Sequence, residues 1–174
     1  MDIAFWGVIV DTQATLPIGS VEEIETFPTP DALLPKTWHY VKNKISRYGQ
    51  DYAIFGELGT TIFELSWNLV GLEKFIVDLL MEKPYVPVLL DKILGYSRAI
   101  GNRMVELGFD VIWAGDDFGT QQGTMISPEL WRKHLKPRTK TLFNTLKNTN
   151  PKVKIACHSF GAIMPIVPDL VVDS

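Results

Sequence analysis

Two adjacent aspartates, Asp116 and Asp117, close a short apolar run and open a polar, glycine-containing loop, VIWAGDDFGTQQGTMISP over Val111–Pro128. A carboxylate at the end of a buried strand can exchange a proton with a bound molecule or cap a nearby backbone N–H. Adjacent side chains on an extended chain point to opposite faces. One of the pair should therefore face a site, leaving the other to cap or meet solvent. Gln121 and Gln122 follow in the same loop, where primary amides suit hydrogen bonding to a substrate and are equally ordinary as exposed loop residues. His158 ends another apolar run, VKIACHSFG, and an imidazole there can carry a proton or bind a metal. Its neighbour Cys157 points the other way and reads as a core thiol. Glu57 follows Gly56 at the end of a third run, DYAIFGELG. Glu64 and Trp67 share one helix face at i, i+3, and Trp67 reads as core or as a pocket wall.

These residues need elements to hold them. Continuous apolar runs followed by glycine and polar residues suit strands buried on both faces. The runs predict strands near 52–57, 110–115 and 153–158, with IAFWGVIV as a further strand-like stretch at the start. Between them the spacing is helical. Ser20 with Glu23 forms a capping box for SVEEIETF, and a second helix is predicted over about 35–48. Residues 60–82 read as helical with Gly71 as a break. A long helix follows from about Pro84 to the stop at Gly108. Ser127-Pro128-Glu129 starts another, with Pro137 as a kink or break. A last helix begins in AIMPIVPDLVV. Strand and helix alternate, so parallel βα units are expected, with chemistry at the C-terminal strand ends. That singles out the loops Gly56–Thr61, Gly115–Ile126 and His158–Ala162.

The bulk properties narrow the classes. A chain of 174 residues suits one domain. A net charge of −3 speaks against nucleic acid as a partner. No apolar stretch approaches the roughly 18 residues needed to span a bilayer. The start lacks the basic stretch and small-residue site of a signal peptide. One cysteine excludes a disulfide within the chain and sets the expectation of a reducing, cytoplasmic setting. The run Arg132, Lys133, Lys136, Arg138, Lys140 reads as the solvated face of an outer helix rather than an anion site. GELGTT has no following Lys-Ser and is not a Walker-type phosphate loop.

Three segments together carry a family resemblance. GELGTTIFELSWNLVG, GDDFGTQQGTMISPELWRKHLKPR and CHSFGAIMPIVPDLV resemble, in order, three strand-loop-helix units of the uroporphyrinogen decarboxylase superfamily. The likeness runs from about Ser20 to the end. It implies an α/β fold, part of a (β/α)8 barrel, with residues 1–174 as the central part of a single domain and both ends missing. A closed barrel takes at least about 200 residues, in keeping with that expectation.

The resemblance also implies enzymes of two kinds. The decarboxylases of porphyrin biosynthesis act without a cofactor on a substrate with eight carboxylates. They use an Arg and Asp that would precede this chain, a tyrosine at the position of Trp67 and a serine near Asp116. Here Trp67 has no phenol, and the loops offer Glu57, Glu64, Asp116 and Asp117, a charge pattern unsuited to a polycarboxylate. The methyltransferases pass a methyl group to or from a corrinoid protein, some with zinc held by His-x-Cys. His158 matches that histidine, but Phe160 stands at the cysteine, and a phenyl ring cannot ligate zinc. The favoured expectation is a corrinoid-linked methyltransferase acting on a small methoxylated or methylated substrate. Catalysis would fall to Asp116 or Asp117 with His158, and substrate contact to Glu57, Trp67, Gln121 and Gln122. The alternatives are a uroporphyrinogen decarboxylase, or a non-catalytic fragment whose open strand edges make it a homo-oligomer.

Overall fold

The computed structural model describes residues 18–172. The strand-like stretch IAFWGVIV lies outside them. The chain enters through α1 (Val21–Thr26) and α2 (Pro35–Tyr48). The capping box is present: Ser20 Oγ accepts from Glu23 N, and the Glu23 carboxylate accepts from Ser20 N. The alternating part follows as β1 (Phe55–Thr60), α3 (Phe63–Val70), α4 (Leu72–Leu80), α5 (Tyr85–Leu107), β2 (Val111–Gly115), α6 (Pro128–His134), α7 (Lys136–Thr149), β3 (Lys154–His158) and α8 (Val167–Val172).

The strands form one parallel sheet in the order β1-β2-β3. Sequence neighbours are thus spatial neighbours, each pair joined by helices. That is the winding of a (β/α) barrel rather than of a doubly wound sheet, whose strand order reverses. Among the described residues no helix is long and apolar enough to cross a membrane.

One face of the sheet packs on helices. Ile112 and Ala114 of β2 are fully buried there, among residues of α5 and α7 such as Leu90, Met104, Leu142 and Leu146. The other face is open. Phe55, Glu57, Trp113 and Lys154 are exposed on it, as the two-residue alternation of a strand requires.

The predicted strands near 110–115 and 153–158 agree with β2 and β3 to within one residue. The first does not: β1 occupies Phe55–Thr60, so much of the expected strand-end loop Gly56–Thr61 is strand. Its glycines serve packing and a bulge rather than a turn. A Cβ on Gly56 would meet the Phe109 ring at 2.6 Å, and Gly59 has a φ of 70° where the register skips Leu58. The outer pair α6/α7 breaks at Leu135, leaving Pro137 in the first turn of α7, where a missing N–H costs nothing.

Buried polar groups concentrate where β1 passes into α3. Ser97 of α5 donates from Oγ to the Thr61 carbonyl at 2.8 Å, and Ser66 Oγ donates to the Ile62 carbonyl at 2.6 Å. Ser97 is 2% exposed, so water cannot replace it. Ser97→Ala is expected to cost about 1–2 kcal/mol by stranding the Thr61 carbonyl, read as a lowered urea midpoint with unchanged slope.

Candidate functional site

The ends of β2 and β3 meet at the open rim of the sheet. Gly115 and His158 are register partners. A Cβ on Gly115 would fall 1.9 Å from the His158 carbonyl oxygen, so only glycine allows this approach. Directly after it the chain alternates: Asp116 in, Asp117 out, Phe118 in.

Asp116 is 2% exposed and lies under the start of α3. Its carboxylate accepts from Thr61 N at 2.9 Å, Thr61 Oγ1 at 2.7 Å, Ile62 N at 3.0 Å and Glu64 N at 3.1 Å. Burial pushes its carboxyl up, and the Thr61, Ile62 and Glu64 donors pull it back. Neither Thr61 nor Ile62 caps α3 with its own side chain, so Asp116 caps it from the neighbouring strand. Of the two aspartates expected at the site, Asp116 is the enclosed one: its oxygens are engaged by donors at the start of α3, and it takes the capping role.

Asp117 is the one on the open side, its side chain 34% exposed. Its Oδ1 accepts from Phe160 N at 2.8 Å and lies 3.8 Å from His158 Nε2, an ion-pair distance too long for a hydrogen bond. Its backbone N donates to Glu64 Oε2 at 2.9 Å. Glu64 is pushed up to about 7, first by burial and then by the charges of Asp116 and Asp117, against the pull of the Asp117 N–H. Three ionisable groups thus cluster at this rim, and Glu64 is poised to exchange a proton near neutral pH. Phe118 anchors the loop, its ring 5.7 Å from those of both Phe63 and Trp131.

The loop after β3 is laced to the loop after β2. Phe118 N donates to Ser159 Oγ at 3.0 Å, and Ala162 N donates to the Thr120 carbonyl at 2.8 Å. His158 stacks on Trp113, centroids 5.7 Å apart with planes 28° off parallel, and meets Phe160 edge-on at 4.6 Å.

The remaining predicted residues lie elsewhere. Glu57 is mid-strand on the open face, level with Trp113, rather than at a strand end. Gln121 and Gln122 sit exposed at the tip of the loop closed by Thr120 and Gly123. Trp67 packs against the larger core cluster with its Nε1 enclosed and, among the described residues, without a hydrogen-bond partner. Cys157, expected in the core, is exposed on β3, an edge strand of the described sheet. Nearby atoms and the charge of Asp116 still push its thiol up to about 11. Four cations of the basic run of α6/α7 are tied into ion pairs: Arg132 and Lys136 with Asp169, Lys133 with Glu82, and Arg138 with Asp91.

Sequence reasoning weighed Glu64 without placing it at the site, and it passed over Trp113 and Ser159. Glu64 could have been found: it sits two residues after the Thr61–Ile62 turn, within reach of the next strand end.

The sequence matches the family model of uroporphyrinogen decarboxylase (URO-D) over residues 12–173. This chain belongs to that family. Among curated proteins no relative matches. Among solved structures, a methyltransferase from Methanosarcina mazei is similar with a TM-score of 0.71 and 22% identity, over 89% of this chain and 45% of that one. At that identity the likeness is one of fold. The chain spans less than half the length of that protein.

A zinc ion of the kind some methyltransferases carry does not fit. The position two residues after His158 is Phe160, whose ring packs edge-on against the imidazole. Among the described residues no group of three His, Cys, Asp or Glu is placed to hold a metal.

The two aspartates should separate cleanly on mutation. Asp116→Asn puts an amide N–H₂ against donors and is expected to cost about 2–4 kcal/mol. Asp117→Asn should stay within about 1 kcal/mol of the parent, both read by chemical denaturation. Glu64 gives a pH signature. Its folded pKa of about 7 lies above the ordinary glutamate value of 4.5, so the folded chain holds the proton more tightly between them. The stability this contributes is full at acid pH and is lost as pH rises through about 7. The Tm of Glu64→Gln relative to the parent should therefore climb between mildly acid and mildly alkaline buffer. A flat difference would contradict the assignment.

Proposed function

We propose that this URO-D family member serves methyl transfer from a small methylated or methoxylated substrate to a corrinoid-protein acceptor. The observation that carries the reading is the charge of the rim. The strand-end loops offer Glu64, Asp117 and His158, and no Lys or Arg occurs in 115–126 or 158–166. A substrate with eight carboxylates would meet repulsion there rather than capture.

A bound corrinoid supplies a strong nucleophile for the methyl carbon. What remains for this chain is to bind the donor, orient it and manage charge on the atom that loses the methyl. That atom keeps the electron pair of the broken bond. An oxygen leaving group then needs a proton, which protonated Glu64 or His158 can hand over. A methylated ammonium nitrogen leaves neutral and needs only counter-charge before the step.

The test uses the full chain with reduced cobalamin as acceptor and a panel of methyl ethers and methylated amines. Appearance of the methylcobalamin absorbance is the expected result, with His158→Ala slowing it about 100-fold or more for the methyl ethers, whose leaving oxygen needs the proton. Conversion of uroporphyrinogen to coproporphyrinogen at ordinary enzyme rates would overturn the proposal.

A second reading rests on the described sheet having β1 and β3 as its edges. Exposed edges invite pairing with another chain, and a concentration-dependent shift in size-exclusion volume is its signature.

A further inference from the structure

On the open face, Trp113 is 43% exposed at the centre of β2. Its register partners are Glu57 on one side and Ala156 on the other, so a carboxylate and a methyl flank the indole. Two residues further along β3 from Ala156, His158 lies nearly parallel to the indole, and Phe160 stands almost perpendicular to the imidazole. Phe160 is 66% exposed. The planes of Trp113 and Phe160 are therefore steeply inclined to each other, with His158 between them. The Asp117 carboxylate borders this corner at 3.8 Å from the imidazole.

Inclined aromatic faces backed by carboxylates suit one ligand chemistry. The face of an aromatic ring carries negative potential and attracts a cation within about 6 Å of its centroid, most strongly for indole. A methylated ammonium is large, weakly hydrated and unable to fill its methyl-covered surface with hydrogen bonds, so it loses little by leaving water for such a corner. The charges agree. Asp117 borders the corner, Glu57 flanks the indole from the β1 side, and Glu64 lies behind Asp117. The cation on this face of β3 is Lys154, at the far end of the strand, about 13 Å along from His158.

We propose that Trp113, His158 and Phe160, with the carboxylates of Glu57 and Asp117, form the binding corner for a methylated ammonium group. The methyl donor of this site is then a quaternary or tertiary methylated amine rather than a methyl ether. This rests on the methyl-transfer reading and narrows it. In the step, the N–CH₃ bond breaks with its pair going to nitrogen, the amine departs neutral, and the methyl joins the corrinoid acceptor. No proton is consumed.

Calorimetric titration of the full chain with choline, its neutral isostere 3,3-dimethylbutanol and anisole tests it directly. Choline should bind about tenfold or more tightly than either neutral probe, and added salt should weaken it. Phe160→Leu, at an exposed loop position, and Trp113→Ala should each weaken choline about fivefold or more, while Trp113→Phe should restore part of the loss. Far-UV circular dichroism checks that each variant is folded. Equal affinity for choline and its isostere, no choline binding, or choline binding unmoved by both aromatic variants overturns the proposal. The two readings fail separately. Demethylation of anisole without choline binding leaves methyl transfer standing and removes the ammonium corner. Decarboxylation of a porphyrinogen removes methyl transfer whatever choline does.

Discussion

The Asp116 carboxylate is the point on which the rim depends. It gathers donors from Thr61, Ile62 and Glu64 and so joins the end of β1, the start of α3 and the end of β2 at one buried site. A hydrogen bond to a charged group contributes about 1.5–3 kcal/mol, and an unmade one at this depth costs at least as much. The same clamp sets the chemistry. It brings the first turn of α3 against the β2 loop, which puts Glu64 on the Asp117 N–H and sends Asp117 to the open side. Ser97 extends the clamp into α5 through the Thr61 carbonyl. One buried charge thus fixes where the exposed one stands.

The electrostatic layout divides inside from outside. Four cations of α6 and α7 are paired with acids on neighbouring outer segments. The acids of the rim instead face one another, His158 and backbone N–H groups. Repulsion and burial together raise Glu64. Like charges collected at a strand end cost stability, and such a cost is characteristic of sites that bind or react. This rim lies at the C-terminal end of the parallel strands, where folds of the (β/α) barrel kind hold their chemistry.

Much of this was legible in the sequence, for reasons that can be named. β2 and β3 showed as apolar runs because both lie in a parallel sheet, and the capping signals Ser20 and Ser127 mark real helix starts. β1 was misplaced because Gly56 and Gly59 read as turn formers, whereas one admits the Phe109 ring and the other makes a bulge. Alternation correctly divided Asp116 from Asp117 but could not say which faced inward. That depended on donors from Thr61–Glu64, more than fifty residues away. Trp113 was hidden in an apolar run, since nothing local shows which face of a strand is left uncovered. Cys157 was misread for the converse reason: β3 is an edge strand of the described sheet, so its helix-side face is not fully covered.

The lacing of the two rim loops has a consequence for how this surface can change. Phe118 to Ser159, Phe160 to Asp117 and Ala162 to Thr120 are bonds between loops more than forty residues apart. Every donor is a backbone N–H, and two of the acceptors are the side chains of Ser159 and Asp117, so the bonds depend on loop length and path and on those two residues. A residue added to either loop would shift its ladder of partners on the other. The two loops therefore form one heritable cassette: descendants can exchange side chains on it where those of Ser159 and Asp117 are kept, but they can lengthen, shorten or transplant it only as a pair.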